Sequence, residues 1–418
     1  MPKLGKHEVI PSPHRLIESL RDLGYDFSTA VADIIDNSIE AGATLVSIDV
    51  EFDGDDSWVR IAGNGRGMHP HQLKEAMRYG TERDYSEEEL GRFGLGLKTA
   101  SLSQCRRLTV ASRTSHDRAY INAYCWDIEH IRKTNRWEIL SLKGKELDRA
   151  ISGPLKETPG TVVLWQRLDR ILGYRHPYGE SARRRIPAMC RELEEHLAMV
   201  FHRFLSGEAR RKRFRILING NEVLPWDPFA RSEPETRALD QVELELEHEG
   251  VSGVVRLEPY VLPHEDDFSS PEAFRRASGP AKWNQQQGLY IYRADRLIQS
   301  GGWSRLRSRD EHTKLARVAL SFSPRLDEAF RINVPKMRVQ LPSQIRGDMD
   351  RALKPVIRLA DKTYRKKTSG SSTGKRRRWT LDELQPKLEK VAEGDEKQVI
   401  SKVFGRFRST IDDKGEKA

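Results

Sequence analysis

The stretch STAVADIIDNSIEAGA, residues 28–43, decides the fold of this chain. Its apolar residues recur at helical spacing and Ser28 is a candidate N-cap, so the pattern predicts a helix ending near residues 41–43. Spacings of three and four place Asp33, Asp36 and Asn37 on one face. Such a face is usually solvated. A carboxylate and an amide one turn apart can also position a water molecule and hold Mg²⁺.

A hairpin and a glycine-rich turn follow this helix. TLVSIDVEF (44–52) alternates apolar and polar residues, DGDD (53–56) is a turn, and SWVRIAG (57–63) is a second strand. The strand ends in the turn GNGRGM (63–68), and a helix is predicted over 70–79. Glycines in such a turn permit positive φ and let the backbone approach a flat ligand or a phosphate closely.

A second glycine-rich segment, GRFGLGLKT (91–99), opens an apolar helix near Lys98. It nearly matches a Walker A loop, but Leu97 is inserted before the lysine and a polar loop, not a strand, precedes it. We therefore reject a Walker A site. The segment still predicts a flexible loop running into a helix N-terminus, which suits an anion and has a lysine in its first turn.

The rest of the chain predicts two α+β domains and a basic tail. Strands are expected at 107–113, 118–126 and 160–165, helices at 190–205 and 346–361, and a strand-rich region over 210–345. The predicted domains are 1–206, 207–361 and 362–418.

Charge is concentrated near the C-terminus. The 418 residues carry a net charge of +10, and residues 362–378 hold eight Lys or Arg and no acid. Such a segment gains from contact with phosphates through counterion release, which favours DNA as a partner. A second basic cluster, 210–215, is as well explained by solvated surface.

Three classes of protein are disfavoured by composition. No apolar run is long enough to span a membrane, and the N-terminus shows no apolar signal stretch. Cys105, Cys125 and Cys190 lack the spacing of a disulfide framework or a zinc site. We expect a cytoplasmic protein with no membrane association.

Four motifs follow one another along the chain: a helix with an acid and an Asn, a glycine turn after a strand, a glycine-rich loop leading into a helix, and Gly160-Thr161 at the start of a later strand. This ordered set resembles the GHKL family. This family includes gyrase B-subunits, mismatch-repair ATPases, heat-shock chaperones and histidine kinases, and the MORC-like branch with its bacterial relatives is most similar. GLYIYRADRLI (288–298) and RINVPKMRVQLP (331–342) resemble its transducer domain. The resemblance implies a Bergerat-type ATP-binding α/β sandwich, a transducer-like (ribosomal S5-type) α+β domain and a basic helical tail.

The resemblance also implies roles for single residues. Asp33 would polarise the attacking water, where the family commonly has glutamate, and Asn37 would ligate Mg²⁺. Lys336 would reach the γ-phosphate from the second domain. The implied cofactor-binding residues are Asn37, Gly63, Gly65, Gly67, Met68, Gly91, Phe93, Gly94, Leu95, Gly96, Leu97, Lys98 and Thr161.

One position departs from the family pattern. The family's first glycine turn is D-x-G-x-G, whose aspartate accepts the adenine amino hydrogen, and here that place is Gly63. Losing a hydrogen bond to a charged acceptor costs about 1.5–3 kcal/mol, or about 10- to 150-fold in affinity. Asn64 is one residue along the strand end and is expected to point the other way.

The leading hypothesis is an Mg²⁺-dependent ATPase that acts as an ATP-gated switch or dimerising clamp on DNA, with a protein partner in DNA processing, restriction or phage defence. The alternative is a DNA-binding scaffold with impaired nucleotide binding, because of Gly63. A histidine-type protein kinase is a weaker third hypothesis, since no receiver or membrane segment is visible.

Overall fold

The computed structural model describes residues 9–22, 24–80, 96–115, 120–147, 149–173, 176–209, 214–332, 339–365 and 396–404. The chain divides into two compact units, Met1–Arg365 and Lys366–Ala418. The described part of the second unit is a helix over residues 396–404. Both β-sheets of the described structure lie in the first unit.

The first sheet contains eight strands: β1 (Leu45–Glu51), β2 (Trp58–Gly63), β3 (Arg107–Arg113), β4 (Asn122–Asp127), β5 (Leu140–Leu142), β6 (Gly160–Gln166), β7 (Arg215–Ile218) and β8 (Asn221–Glu222). Their spatial order is β5-β4-β3-β6-β2-β1-β7-β8. All neighbours pair antiparallel except β1 and β7, which are parallel. The predicted hairpin is β1 and β2, with Val46 opposite Gly63.

Helices cover both faces of this sheet: α1 (Pro13–Arg21), α2 (Phe27–Glu40), α3 (Pro70–Met77), α4 (Gly96–Leu102), α5 (Ile128–Thr134), α6 (Arg149–Glu157), α7 (Glu180–Val200) and α8 (His202–Leu205). The sequence of β6 is largely apolar because both faces of this strand are buried. Val163 and Trp165 face the larger core, which includes α2 and α7, whereas Val162 and Leu164 face a smaller core beneath α6. The first sheet is therefore the middle layer of a sandwich.

The second sheet has six strands: β9 (Arg237–Ala238), β10 (Val242–His248), β11 (Val251–Val261), β12 (Gly288–Arg293), β13 (Arg296–Ser300) and β14 (Ala316–Phe322). Their order is β10-β11-β14-β12-β13, with β9 beside β11. The helices that follow β11 are α9 (Pro271–Ser278), α10 (Lys282–Gln286) and α11 (Arg346–Tyr364). Helix α11 buries Met349, Leu353 and Val356 in the core of this sheet.

The hairpin between β12 and β13 places a side chain that matters for the site. Ala294 and Asp295 form its two-residue turn, with φ values of +47° and +67°. Positive φ at both positions is what a type I′ turn requires, and this turn matches the twist of antiparallel strands. Arg296 is consequently the first residue of β13, opposite Arg293.

The predicted α+β class is confirmed, and several element bounds differ. The predicted helix over 190–205 begins ten residues earlier, at Glu180, and breaks after Val200. The predicted strand at 118–126 begins at Asn122. Residues 215–222 join the first sheet, so the predicted boundary after residue 206 falls before its last two strands. The division into three domains stays a prediction. In the described residues, helices are too short or too polar to cross a bilayer.

Candidate functional site

Helix α2 carries the acidic residues of the predicted site. The helix begins at Phe27 because Asp26 caps it, accepting a hydrogen bond from the backbone N–H of Thr29 at 2.8 Å. The prediction of Ser28 as the N-cap is wrong: Ser28 lies inside the first turn. Sequence periodicity locates a helix to within a residue or two, and a neighbouring aspartate is an equally good cap.

The predicted polar face of α2 is not a solvated surface. Asp33 and Asp36 are 4% and 1% exposed, and only Asn37 of the three is exposed to solvent. Buried carboxylates require partners, because desolvation of an unpaired charge is costly. The burial of both acids therefore favours the functional interpretation of this face.

Asp33 is held from two sides. The hydroxyl of Tyr25 donates a hydrogen bond to Oδ2 of Asp33 at 2.9 Å. A terminal nitrogen of Arg296 lies 3.5 Å from Oδ1. Burial, and then the negative charge of Asp33, raise the pKa of Tyr25 well above its ordinary value, so Tyr25 stays a neutral donor. These contacts fix the orientation of the carboxylate.

Arg296 also binds Asp36, and so joins β13 of the second sheet to helix α2. Its Nε lies 2.9 and 2.8 Å from the two carboxylate oxygens of Asp36. The guanidinium carbon is 5.9 Å from the ring centroid of Phe201. Burial, followed by the charge of Arg296, lowers the pKa of His196 to about 4, so that histidine adds no second cation near neutral pH.

Arg296 is a site residue that the sequence patterns did not predict. The residue lies 260 positions from Asp36 along the chain. Its only sequence signal is an arginine directly after a predicted turn in GLYIYRADRLI, and such arginines are common on surfaces.

The other predicted binding residues gather at the ends of three strands. Gly63 lies opposite Thr161, and Thr161 lies opposite Ser112 on the next strand. The hydroxyls of Thr161 and Ser112 are 2.9 Å apart, and the backbone N–H of Met68 donates to Oγ of Ser112 at 2.8 Å. The glycine turn and Thr161 are therefore neighbours, and their role as one wall of a nucleotide pocket stays a prediction.

Asn64 has a structural role in this turn. Its Oδ1 accepts hydrogen bonds from the backbone N–H groups of Thr44 and Leu45, both at 2.9 Å. Its Nδ2 donates to the hydroxyl of Thr44 at 3.0 Å. The side chain is thus committed to the start of β1, and Asn64 does not replace the aspartate that the family has at Gly63.

The turn packs tightly between α2 and β3. Gly67 has φ +67°, and a Cβ there would lie 2.2 Å from the carbonyl oxygen of Arg113. Gly65 is buried against Ala41, where a Cβ would approach to 2.8 Å. A side chain at either position would displace the turn, so both glycines are required by packing within the chain. The close approach of this turn to a ligand stays a prediction.

Helix α4 begins beside Asp33. A Cβ on Gly96 would lie 3.7 Å from Oδ2 of Asp33, and Leu97 packs against the larger core. Lys98 is 1% exposed, and its Nζ donates to the carbonyl oxygen of Ala76 at 3.0 Å. Burial lowers the pKa of Lys98 to about 8. A change of pH around 8 therefore changes the fraction of Lys98 that carries a positive charge.

Five predicted site residues fall outside the described residues: Gly91, Phe93, Gly94, Leu95 and Lys336. Their roles stay predictions. Among the described residues, α2 connects two groups, with Asp33 beside the start of α4 and Ser38 beside Gly63. Asn37 lies between these two groups on the exposed side of the helix.

Part of this chain matches a known protein family. A family model described as histidine kinase-, DNA gyrase B- and HSP90-like ATPase matches residues 25–161. That segment begins just before α2 and ends in β6, and so includes the described groups around Asp33 and Gly63.

Three curated relatives match between 102 and 141 residues of the chain. The DNA mismatch repair protein MutL of Pseudoalteromonas translucida (strain TAC 125) is 34% identical over 102 residues, which is 23% of this chain and 16% of the relative. MutL of Enterobacter sp. (strain 638) is 35% identical over the same length and coverage. MutL of Janthinobacterium sp. (strain Marseille) is 31% identical over 141 residues, or 32% of this chain and 20% of the relative.

The matches to these three relatives thus span a fifth or less of each relative's length. The segment that the family model matches carries Asp33, Asn37 and, in its sequence, both glycine-rich stretches. Residues 25–161 therefore belong to the histidine kinase-, DNA gyrase B- and HSP90-like ATPase family, known as GHKL.

Proposed function

We propose that this chain binds ATP between α2 and the ends of β2, β3 and β6, and hydrolyses it with Mg²⁺. The observation that carries the proposal is Asp33, a buried carboxylate oriented by Tyr25 and Arg296 beside the start of α4. A carboxylate fixed in this way can accept a proton from, or polarise, a water molecule.

Each residue group has a distinct task in this proposal. Gly63, Met68 and Thr161 form the wall for the adenine, and the start of α4 with Lys98 meets the phosphates. Lys336 supplies a second cation to the γ-phosphate. Asp33 orients the attacking water. Positioning and charge stabilisation account for most of the catalysis of phosphoryl transfer.

The residues present fit Mg²⁺. Asn37 offers an exposed amide oxygen one turn after Asp33, and Mg²⁺ in nucleotide sites is held by few protein ligands together with phosphates and waters. When bound, Mg²⁺ would neutralise charge on the phosphates.

The partners follow from charge and family. We propose that ATP binding dimerises the chain into a clamp or switch on DNA, within a DNA-processing or defence system that includes a further protein. The basic segment 362–378 supports DNA as the partner. Sedimentation with a non-hydrolysable ATP analogue tests dimerisation: a species of unchanged mass would contradict it.

The second candidate function is a DNA-bound scaffold that holds nucleotide weakly. The observation that favours it is Gly63, because this turn then offers no carboxylate to the adenine amino group. Asn64 does not compensate, since its side chain is hydrogen-bonded to Thr44. Both candidates share the fold and differ in nucleotide affinity and turnover.

The test is calorimetric titration of ATP into the wild-type chain and into Gly63→Asp. A Cβ at Gly63 would lie 2.9 Å from Oγ of Ser38, so the aspartate needs room. We therefore add Gly63→Asp with Ser38→Ala, and Ser38→Ala alone as the matched control. We expect the double variant to bind ATP about 10- to 150-fold more tightly than the control.

The outcomes separate the two candidates. ATP hydrolysis by the wild-type chain, abolished in Asp33→Ala, supports the ATPase. Absence of both binding and hydrolysis, with binding restored by the aspartate, supports the scaffold. Equal affinity of the double variant and its control would show that our interpretation of Gly63 is wrong.

A further inference from the structure

A cavity of about 520 Å³ lies at the end of β13, and its lining contains none of the predicted nucleotide residues. It is lined by residues 299–305 together with Arg307 and Arg309. Its described lining contains no acidic side chain. A volume of this size accommodates a small polar ligand or a segment of a polymer.

The backbone that shapes the cavity is firmly held. Gly301 and Gly302 have φ values of +69° and +76°, and a Cβ on Gly301 would lie 2.5 Å from the carbonyl oxygen of Gln285. Trp303 is 2% exposed, and its Nε1 donates to Oε1 of Gln287 at 3.1 Å. The loop is therefore a pre-shaped surface, and binding there would cost little ordering entropy.

Three guanidinium groups border this cavity. Arg305, Arg307 and Arg309 are all exposed, and Arg307 lies over the ring of Trp303 at 5.6 Å. A Cβ on Gly302 would lie 3.3 Å from a terminal nitrogen of Arg309. Within the described residues, none of the three arginines has an ion pair shorter than 4.0 Å with a carboxylate.

The acids next in sequence are already engaged. Asp310 accepts a hydrogen bond from the backbone N–H of His312 at 2.9 Å and lies 3.0 Å from its Nδ1. Hydrogen bonds from His312, then the charges of His312 and Arg307, lower the pKa of Asp310. Glu311 pairs with Lys314. The three guanidiniums therefore leave a net positive charge at the cavity.

We propose that this cavity binds the phosphodiester backbone of duplex DNA. The planar guanidinium matches phosphate oxygens with two parallel hydrogen bonds, and three of them from one rigid loop can meet successive phosphates. The ring of Trp303 is buried, so the cavity offers no aromatic face for unpaired bases, which disfavours single strands. The proposal rests on the DNA part of the proposed function, and its test is independent of ATP turnover.

The test measures binding of a short fluorescein-labelled duplex to the full chain by anisotropy, between about 50 and 200 mM salt. The variant carries Arg305→Ala, Arg307→Ala and Arg309→Ala. If all three arginines contact phosphates, the slope of log K against log salt falls by about 2.7, and affinity at about 0.15 M salt falls about a hundredfold. Replacement of the three by lysine should restore most of the slope and part of the affinity.

The matched control removes the same charge elsewhere. Arg184, Arg275 and Arg351 are exposed on helices and paired with Glu180, Glu272 and Asp348. Their triple alanine variant should change the slope little. Equal losses in the two variants would overturn the cavity as the contact. Displacement of the duplex by inorganic phosphate at constant ionic strength would assign the cavity to a free anion and also overturn it. Failure of the wild-type chain to bind duplex would overturn the DNA part of the proposed function itself.

Discussion

The ion pair between Arg296 and the acids of α2 leads to a prediction with a definite magnitude. The side chains of Arg296, Asp33 and Asp36 are 4%, 4% and 1% exposed. Replacing Arg296 by methionine approximately keeps the volume but removes the guanidinium that pairs with these two buried carboxylates. Breaking a buried pair from one side costs about 3–5 kcal/mol, and the near-zero exposure of all three groups places the loss within that range.

A second substitution separates the electrostatic cost at the buried carboxylates from a general disruption of packing around residue 296. Asp36→Asn removes one of the two buried negative charges while keeping the shape of the side chain. We expect Arg296→Met with Asp36→Asn to be more stable than Arg296→Met alone, with a coupling free energy of about 1–3 kcal/mol between the two sites. Urea unfolding of the full chain, followed by tryptophan fluorescence, measures both quantities.

The two variants also distinguish a stabilising residue from a positioning residue. In the double variant Asp33 keeps Tyr25 but has lost Arg296, so its carboxylate is less fixed. We expect the value of kcat for ATP hydrolysis to stay low in the double variant although stability recovers, with little change in nucleotide affinity. A cost below about 1 kcal/mol for Arg296→Met, or strictly additive effects, would refute the reasoning about the buried pair. Recovery of kcat together with stability would refute the positioning role.

Three further predictions concern single features. Asp33→Ala should abolish ATP hydrolysis and spare nucleotide binding, measured by phosphate release and calorimetry; persistent hydrolysis would move the catalytic role to another group. Burial lowers the pKa of Lys98 to about 8, so the ammonium is lost as pH rises through that value, and ATP affinity should fall between about pH 7 and 9 in the wild-type chain but stay level in Lys98→Arg. A parallel fall in Lys98→Arg would show that a different group titrates. Deleting residues 366–418 should weaken duplex binding and flatten its salt dependence, and an unchanged slope would exclude the tail as a contact.

Local pattern predicted most of the first sheet and its helices. The hairpin of β1 and β2, strand β3 and the long helix α2 lie close to their predicted positions because their periodicities of two and 3.6 are strong. The ends of elements were less well predicted. At α2 both Asp26 and Ser28 could cap the helix, and hydrogen-bond geometry selected Asp26.

Part of the candidate site was also accessible from sequence. The glycine turn, Thr161 and Asp33 were recognised as one set, and the structure brings the described members into two neighbouring groups linked by α2. The expectation that Asn64 points away is confirmed by its bonds to Thr44. The contact of Lys98 with Ala76 was not predicted, since nothing in a glycine-rich loop indicates which carbonyl a following lysine will meet.

The sequence by itself determined the α+β class, the order of the motifs and the shared face of Asp33, Asp36 and Asn37 on α2, because these depend on the spacing of residues close together in the chain. Only the tertiary structure decided that Asp33 and Asp36 are buried, and that their cation is Arg296 from a different sheet. The physical reason is that a buried carboxylate must find a partner wherever packing brings one within reach, and that partner is 260 residues from Asp36 in the chain.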